Sequence, residues 1–290
     1  MTLEPDASIL ERFGVRVLEA WGGQRNRHWL VVRGAERLVL RRWDVAGTNL
    51  EWEVSLLESV HALGWPVARS LEVIVDERGA AWSLHPHLRG EPAPDKNSPR
   101  EQRARGRLLA EFHASLETLT DVPQRSGWRR GEEILADASL ETAFLEHAHS
   151  NEEEARSFLW HLEAARTLIA PLEPALRSNH VVHGDFTQWN LLFDGGRLSG
   201  ILDFELAHTD HRIADFALAW RGAYDDVIRA YEEVSPLEDV ERALLTPLWW
   251  AYLLEGAAKL IRAGERDDGW TLKMLRRRSN LMNTPMHRAT

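Results

Sequence analysis

The hydrophobic periodicity of this chain breaks off near residue 90, between a mostly strand-like and a mainly helical part, and that break limits what it can fold into. Before it, apolar residues come in short β-suited runs at 15–20, 28–32 and 37–42. The turn-like stretches Trp21-Gly22-Gly23-Gln24-Arg25-Asn26 and Arg33-Gly34-Ala35-Glu36 separate them, which predicts a three-stranded meander. Thr48 or Asn49 can then cap a helix in which Leu50, Val54, Leu57, Val60 and Leu63 recur at three- and four-residue spacing, as far as Gly64 and Pro66. Two further strands, 71–75 and 81–84, flank the turn 76–79. The order β-β-β-α-β-β predicts a small, mostly antiparallel lobe over residues 1–90.

Periodicity vanishes around Arg89-Gly90-Glu91-Pro92-Ala93-Pro94-Asp95-Lys96-Asn97, so residues 91–97 read as a hinge or linker. Ser98-Pro99-Arg100-Glu101 then supplies an N-cap, a first-turn proline and the reciprocal glutamate of a capping box. Leu108, Leu109, Phe112, Leu116 and Leu119 continue that helix, and further helical patterns cover 132–147, 151–169, 213–234 and 237–263. Residues 98–290 therefore read as a larger, mainly helical lobe, and the chain as an α+β fold. The exception is a group of brief strand-like pieces at 181–182, 191–193 and 198–202, the last two joined by an Asp-Gly-Gly turn at 194–196.

Composition removes several classes of function. There is no cysteine, which excludes disulfides, thiolate nucleophiles and cysteine-ligated metals. Formal net charge is −10, so the basic surplus that draws proteins to nucleic acid or anionic membranes is missing, and neither is expected as a partner. Most of the acidic excess lies beyond residue 90, which suits either solubility or a cationic small molecule. The longest apolar run, 248–254, is too short to span a bilayer, and the first residues lack a signal-peptide core, so a cytoplasmic location is expected. Nothing in the sequence sets the oligomeric state.

The stretch Val181-Val182-His183-Gly184-Asp185-Phe186-Thr187-Gln188-Trp189-Asn190-Leu191-Leu192-Phe193, followed by Ile201-Leu202-Asp203-Phe204-Glu205, carries the chemistry. Apolar strands frame every polar group. Asp185 and Asn190 stand at the two ends of one loop and Asp203 leaves a neighbouring strand, so three oxygen donors can converge. A carboxylate and an amide oxygen are hard ligands of the kind Mg2+ takes in small number, and a second carboxylate can orient or deprotonate a hydroxyl.

These residues resemble the aminoglycoside phosphotransferase and choline kinase-like small-molecule kinases, distant relatives of protein kinases. His183-Gly184-Asp185 with Asn190 is similar to their H-G-D-x-x-x-x-N catalytic loop, and Asp203-Phe204-Glu205 to their metal-binding D-x-D or D-x-E segment. The glycine after His183 and the glutamate after Phe204 depart from the protein-kinase H-R-D and D-F-G patterns. The resemblance implies a bilobal protein kinase-like fold, with a nucleotide-binding lobe at 1–90 and a catalytic and substrate lobe at 98–290. It implies ATP and Mg2+ as cofactors and a small-molecule hydroxyl acceptor, of the aminoglycoside, choline, ethanolamine or homoserine type. Asp185 is implied as the catalytic carboxylate, with Asn190 and Asp203 as magnesium ligands. His183 and Asp215 are expected to brace the loop, and Glu205 to stand either near a second metal or toward solvent.

The same resemblance extends to the first lobe. Gly22, Gly23 and Asn26 fall where the family has its phosphate loop, though a plain hairpin also fits them. Arg41 falls where a lysine usually meets the phosphates, with Glu53 as its partner, and His87 or Leu88 where backbone holds the adenine edge. The first lysine of the chain is Lys96, so no lysine is available to the first lobe, and Arg41 either substitutes or remains an ordinary ion-pair arginine. A pseudokinase that acts through a partner is the alternative this departure leaves open. The pairs His180 and His183, and His208 and His211, are not expected to bind metal. Glu205, Asp210, Trp220, Trp249 and Trp250 are candidate acceptor contacts, the tryptophans equally fitting a helical core.

Overall fold

The computed structural model describes residues 4–21, 26–43, 48–175, 180–266 and 268–282. The chain divides into two compact units, one of Met1–Pro94 with Trp189–Glu205 and one of Asp95–Gln188 with Leu206–Thr290.

In the first unit, helix α1 (Ala7–Phe13) precedes the strands β1 (Arg16–Trp21), β2 (Arg27–Arg33) and β3 (Glu36–Arg42). Helix α2 (Thr48–Ala62) follows, then β4 (Glu72–Val75) and β5 (Ala81–Pro86). All neighbouring pairs in the five-stranded sheet are antiparallel, in the order β1-β2-β3-β5-β4. α1 was not expected from the sequence. It buries two apolar residues four apart, Ile9 and Phe13, and ends on Gly14 in the left-handed conformation.

Alternation along the strands sorts the two faces of this sheet. Trp29, Val31, Leu38, Leu40, Trp82 and Leu84 share one face and form a buried cluster with Ile9 and Phe13 of α1. Trp29 and Trp82 stack within it at 5.6 Å. The register His28↔Arg41↔Ser83 gathers polar side chains on the other face, joined by His85 opposite Val39. The polarity is placed by strand period, so a one-residue slip would bury these charges in the α1 core.

Three further strands complete the first unit's sheets: β6 (Glu91–Pro92), then, after β7 (His180–Val182) of the second unit, β8 (Leu191–Asp194) and β9 (Arg197–Ile201). They form a sheet in the order β6-β8-β9, closed by a hairpin whose Gly195 and Gly196 both have positive φ. Gly90 is required where it stands: at φ 120 a Cβ there would lie 2.4 Å from Ser199 Oγ and 2.8 Å from the Phe193 carbonyl oxygen.

The second unit is mainly helical, with α3 (Pro99–Leu116), α4 (Gly131–Ala136), α5 (Ala138–His147), α6 (Glu152–Ile169), α7 (Phe216–Ala219), α8 (Asp225–Glu232), α9 (Asp239–Ala263) and α10 (Trp270–Leu275). A short strand β10 (His208–Asp210) pairs with β7. Ser98 caps α3 by accepting from the Glu101 backbone N–H at 3.1 Å, but Glu101 reaches back one residue further than a capping box requires and accepts from Asn97 N–H. The expected single helix over 132–147 is broken at Asp137, whose extended backbone ends α4 and whose carboxylate caps α5 at Ser139. The expected helix over 213–234 is interrupted as well, by the left-handed Arg221 and Gly222. Trp220, Trp249 and Trp250 are 0 to 1% exposed and belong to this unit's core. Among the described residues no helix is long and apolar enough to cross a membrane.

α3 and α8 meet at Gly106, where an added Cβ would lie 2.1 Å from the Val227 carbonyl oxygen. Backbone cannot retreat as a flexible side chain would. Gly106→Ala is expected to destabilise the second unit by about 3 kcal/mol, the upper range for overpacking, measurable as a lowered urea midpoint with an unchanged slope.

Candidate active site

In the first unit the polar face of the sheet centres on Arg41. It is 7% exposed, and its Nη1 donates to Glu53 Oε1 of α2 at 2.5 Å. Its guanidinium carbon lies 3.7 Å from the Trp43 ring centroid, a cation–π contact that replaces part of the hydration the burial removes. Nη2 stands 3.4 Å from Glu205 Oε1, and the Asn26 amide also donates to that oxygen. Glu205 is thus half-buried and turned to Asn26 and Arg41, not toward solvent, the second of the two places expected for it. Trp43 Nε1 donates to Ser83 Oγ at 2.7 Å, and His85 holds Ser83 Oγ and the Ala68 carbonyl from its two ring nitrogens. Gly22 and Gly23 lie outside the described residues. His87 and Leu88 are half-buried just past β5, the His87 ring 5.8 Å from that of Trp21 and the Leu88 side chain against Gly200.

Both histidines on this face resist protonation. Burial first, and the Arg41 charge second, lower His28 to about 4 against an opposing pull from Glu205. Burial also lowers His85 to about 4, against its hydrogen bond to the Ala68 carbonyl. In the unfolded chain each titrates near 6.5, so between these values the unfolded chain binds more protons. The stability they contribute is complete above pH 6.5 and is lost as pH falls toward 4, by at most roughly 3 kcal/mol each. Urea unfolding is expected to show stability dropping between pH 6.5 and 5, with a shallower drop in His85→Gln; an equal slope in the variant would contradict the assignment to His85.

Asn190 and Asp203 also belong to the first unit, at the shared end of the β8–β9 hairpin. The Leu202 N–H donates to the Asn190 carbonyl at 2.8 Å, extending the ladder to the residue before Asp203. Asp203 has φ 64, a left-handed conformation uncommon outside glycine, and the residue is exposed. It stands just past the end of β9, two residues beyond Ile201. The amide oxygen of Asn190 and the carboxylate of Asp203 are hard donors of the kind that fit Mg2+, which takes few protein ligands and keeps water or phosphate oxygens as the rest.

In the second unit β7 delivers His183-Gly184-Asp185. Asp215 is 0% exposed and accepts from the His183 N–H at 2.9 Å and from the Gly184 N–H at 2.6 Å. Burial pushes its carboxyl up, but hydrogen bonding and charge from His113, His183 and the backbone outweigh this and hold it below the usual range. His113 bridges Asp215 and Tyr231, its Nε2 2.9 Å from the Asp215 carboxylate and its Nδ1 2.9 Å from the Tyr231 hydroxyl. His183 is fully buried and its Nδ1 accepts from the Asp185 N–H at 3.1 Å. Gly184 has φ 79, and a Cβ there would meet the Leu206 carbonyl oxygen at 2.3 Å. Asp185 is half-buried, beside Phe186, whose ring stacks on Phe112 of α3 at 5.6 Å. The bracing expected of His183 and Asp215 is present. Asp210, an expected acceptor contact, is 0% exposed and bonded to Tyr252 and His208. The sequence reading missed the seat of Arg41 on Trp43, and no local pattern signalled it.

A five-stranded antiparallel sheet in one unit and a helical second unit carrying a braced H-G-D loop define the class as a kinase-like phosphotransferase. Residues 16–253 match the sequence model of the phosphotransferase enzyme family, and the chain belongs to that family. It is 25% identical over 256 residues to the homoserine kinase of Zymomonas mobilis, covering 81% of this chain and 76% of that one. The homoserine kinase of Gluconobacter oxydans is 32% identical over 109 residues, covering 33% of this chain and 32% of that one. Among solved structures, a ternary complex of the aminoglycoside phosphotransferase APH(4)-Ia with AMP-PNP and hygromycin B superposes with a TM-score of 0.68. It shares 18% identity, over 92% of this chain and 95% of that one. The GDP complex of aminoglycoside 2'-phosphotransferase-IIIa gives a TM-score of 0.66 at 18% identity, over 92% and 94% of the two chains. These two likenesses concern the fold.

Proposed function

We propose that this phosphotransferase moves the γ-phosphoryl group of ATP to a hydroxyl of a small amino alcohol, with homoserine as the first acceptor to test. The observation that carries the reading is that Asn190 and Asp203 flank the open end of one hairpin, where the Leu202 N–H donates to the Asn190 carbonyl and Asp203 has φ 64. Those two residues would hold Mg2+, which when bound neutralises charge on the phosphates. Asp185 orients the acceptor hydroxyl and takes its proton as the oxygen–phosphorus bond forms. Arg41 serves as the cation for the donor phosphates, with Glu53 fixing its direction. A guanidinium keeps several donors available at once, so it can hold Glu53 and still face a phosphate.

Support for an amino alcohol comes from the two homoserine kinases among the relatives. ADP release should be measured with L-homoserine, choline, ethanolamine, hygromycin B and kanamycin. Acceptor-dependent release with at least one is expected. Release with none, under conditions where ATP binds, would remove the small-molecule kinase reading. It would favour the second reading, a pseudokinase acting through a partner, which Glu205 on Arg41 and Asn26 supports because the carboxylate competes with phosphate for both.

A further inference from the structure

We infer that Arg105 is a positioning residue for the loop that carries Asp185, holding the loop's far side as Asp215 holds its near side. The inference rests on the proposed role of Asp185. Arg105 lies one turn past Glu101 on α3 and is 2% exposed, unusual burial for an arginine. Its Nη1 donates to Gln188 Oε1 at 2.9 Å, its Nη2 to Asn97 Oδ1 at 3.2 Å, and its Nε stands 3.2 Å from Glu101 Oε1. Its guanidinium lies 5.8 Å from the Tyr224 ring. One buried cation therefore ties together the segment before α3, α3 itself and the catalytic loop.

Burial works against both members of the ion pair, lowering Arg105 and raising Glu101 from their ordinary values. Apolar side chains of similar volume often fill such a site with no loss of stability, so the pair is poorly explained by stability alone. What it supplies is direction. Gln188 is 4% exposed and lies three residues after Asp185, while His183 and Gly184 on the other side are bonded to Asp215. Between these anchors Phe186 packs on Phe112, and the Thr187 N–H donates to the Asp185 carbonyl at 2.8 Å. Only with both sides held is the Asp185 carboxylate set in one place. A displacement of an ångström at a reacting group lowers rate far more than binding.

The test uses the full chain and two independent readouts. In Arg105→Met, amide hydrogen exchange over residues 185–188 is expected to accelerate at least tenfold, while amides in the middle of α6 stay unchanged. With an acceptor that supports turnover, kcat is expected to fall 10- to 100-fold with KM for ATP within twofold. Arg105→Lys, which offers donors but no fork, is expected to recover part of the loss. Unchanged loop exchange, or a kcat per folded molecule equal to wild type, would overturn the inference. A loss that only tracks the folded fraction would do the same. Should Arg105→Met not fold, Gln188→Leu carries the same test, because Arg105 keeps Glu101 and Asn97 there. If the wild type turns over no acceptor, the reading of Asp185 fails, yet the exchange measurement still decides whether Arg105 holds the loop.

Discussion

Asp185→Asn is expected to lower acceptor-dependent turnover by roughly a thousandfold, the middle of the range for losing a general base, while ATP binds within threefold of wild type. The substitution is nearly isosteric, and the contacts that shape the loop survive it. The Asp185 N–H still reaches His183 Nδ1, the Thr187 N–H still reaches the residue 185 carbonyl, and Asp215 still holds His183 and Gly184. What disappears is the negative charge and the basic lone pair. Because phosphoryl transfer depends mainly on alignment and charge, this change falls on kcat rather than on nucleotide affinity. Measuring kcat and the Kd for a non-hydrolysable ATP analogue in the same preparation checks it, and retained turnover would take Asp185 out of its role.

The second large effect is on stability. Glu53→Ala is expected to destabilise the first unit by about 3–5 kcal/mol, because it strands a buried guanidinium. Glu53 is 0% exposed and Arg41 7%; without the 2.5 Å bond, Arg41 keeps the more distant Glu205 at 3.4 Å and the Trp43 face. The comparison that isolates the cause is the double variant Arg41→Met/Glu53→Leu, expected to be more stable than Glu53→Ala although it alters more atoms. Removing both charges avoids the unpaired cation. Urea unfolding of the three proteins decides it. A double variant that is the least stable of the three would mean packing volume, not charge, sets the cost.

Much of this arrangement is legible in the sequence because it is written in local chemistry. Strand alternation places Arg41 opposite the apolar face, the Asp-Gly-Gly turn sets the hairpin that presents Asn190 and Asp203, and Asn151 marks the start of α6. The breaks at Asp137 and at Arg221-Gly222 are harder to read, since the apolar period runs through both and only tertiary contacts decide where the chain turns. At Gly222 that contact is Trp249, whose ring would lie 2.2 Å from a Cβ. Long-range polar partnerships leave the least trace. Glu205 meeting Asn26 spans 179 positions and Arg105 meeting Gln188 spans 83. No spacing rule connects such residues. The same holds for the two-residue strand β6, whose identity comes from pairing with Leu192 and Phe193 rather than from its own Glu-Pro sequence.

The most direct measurement is calorimetric binding of a non-hydrolysable ATP analogue to the wild type and to Asp203→Asn, each with and without Mg2+. If Asn190 and Asp203 form the divalent-ion seat, Mg2+ tightens binding to the wild type at least tenfold and leaves the variant within about twofold of its metal-free affinity. Equal gains from Mg2+ in both proteins would contradict the account.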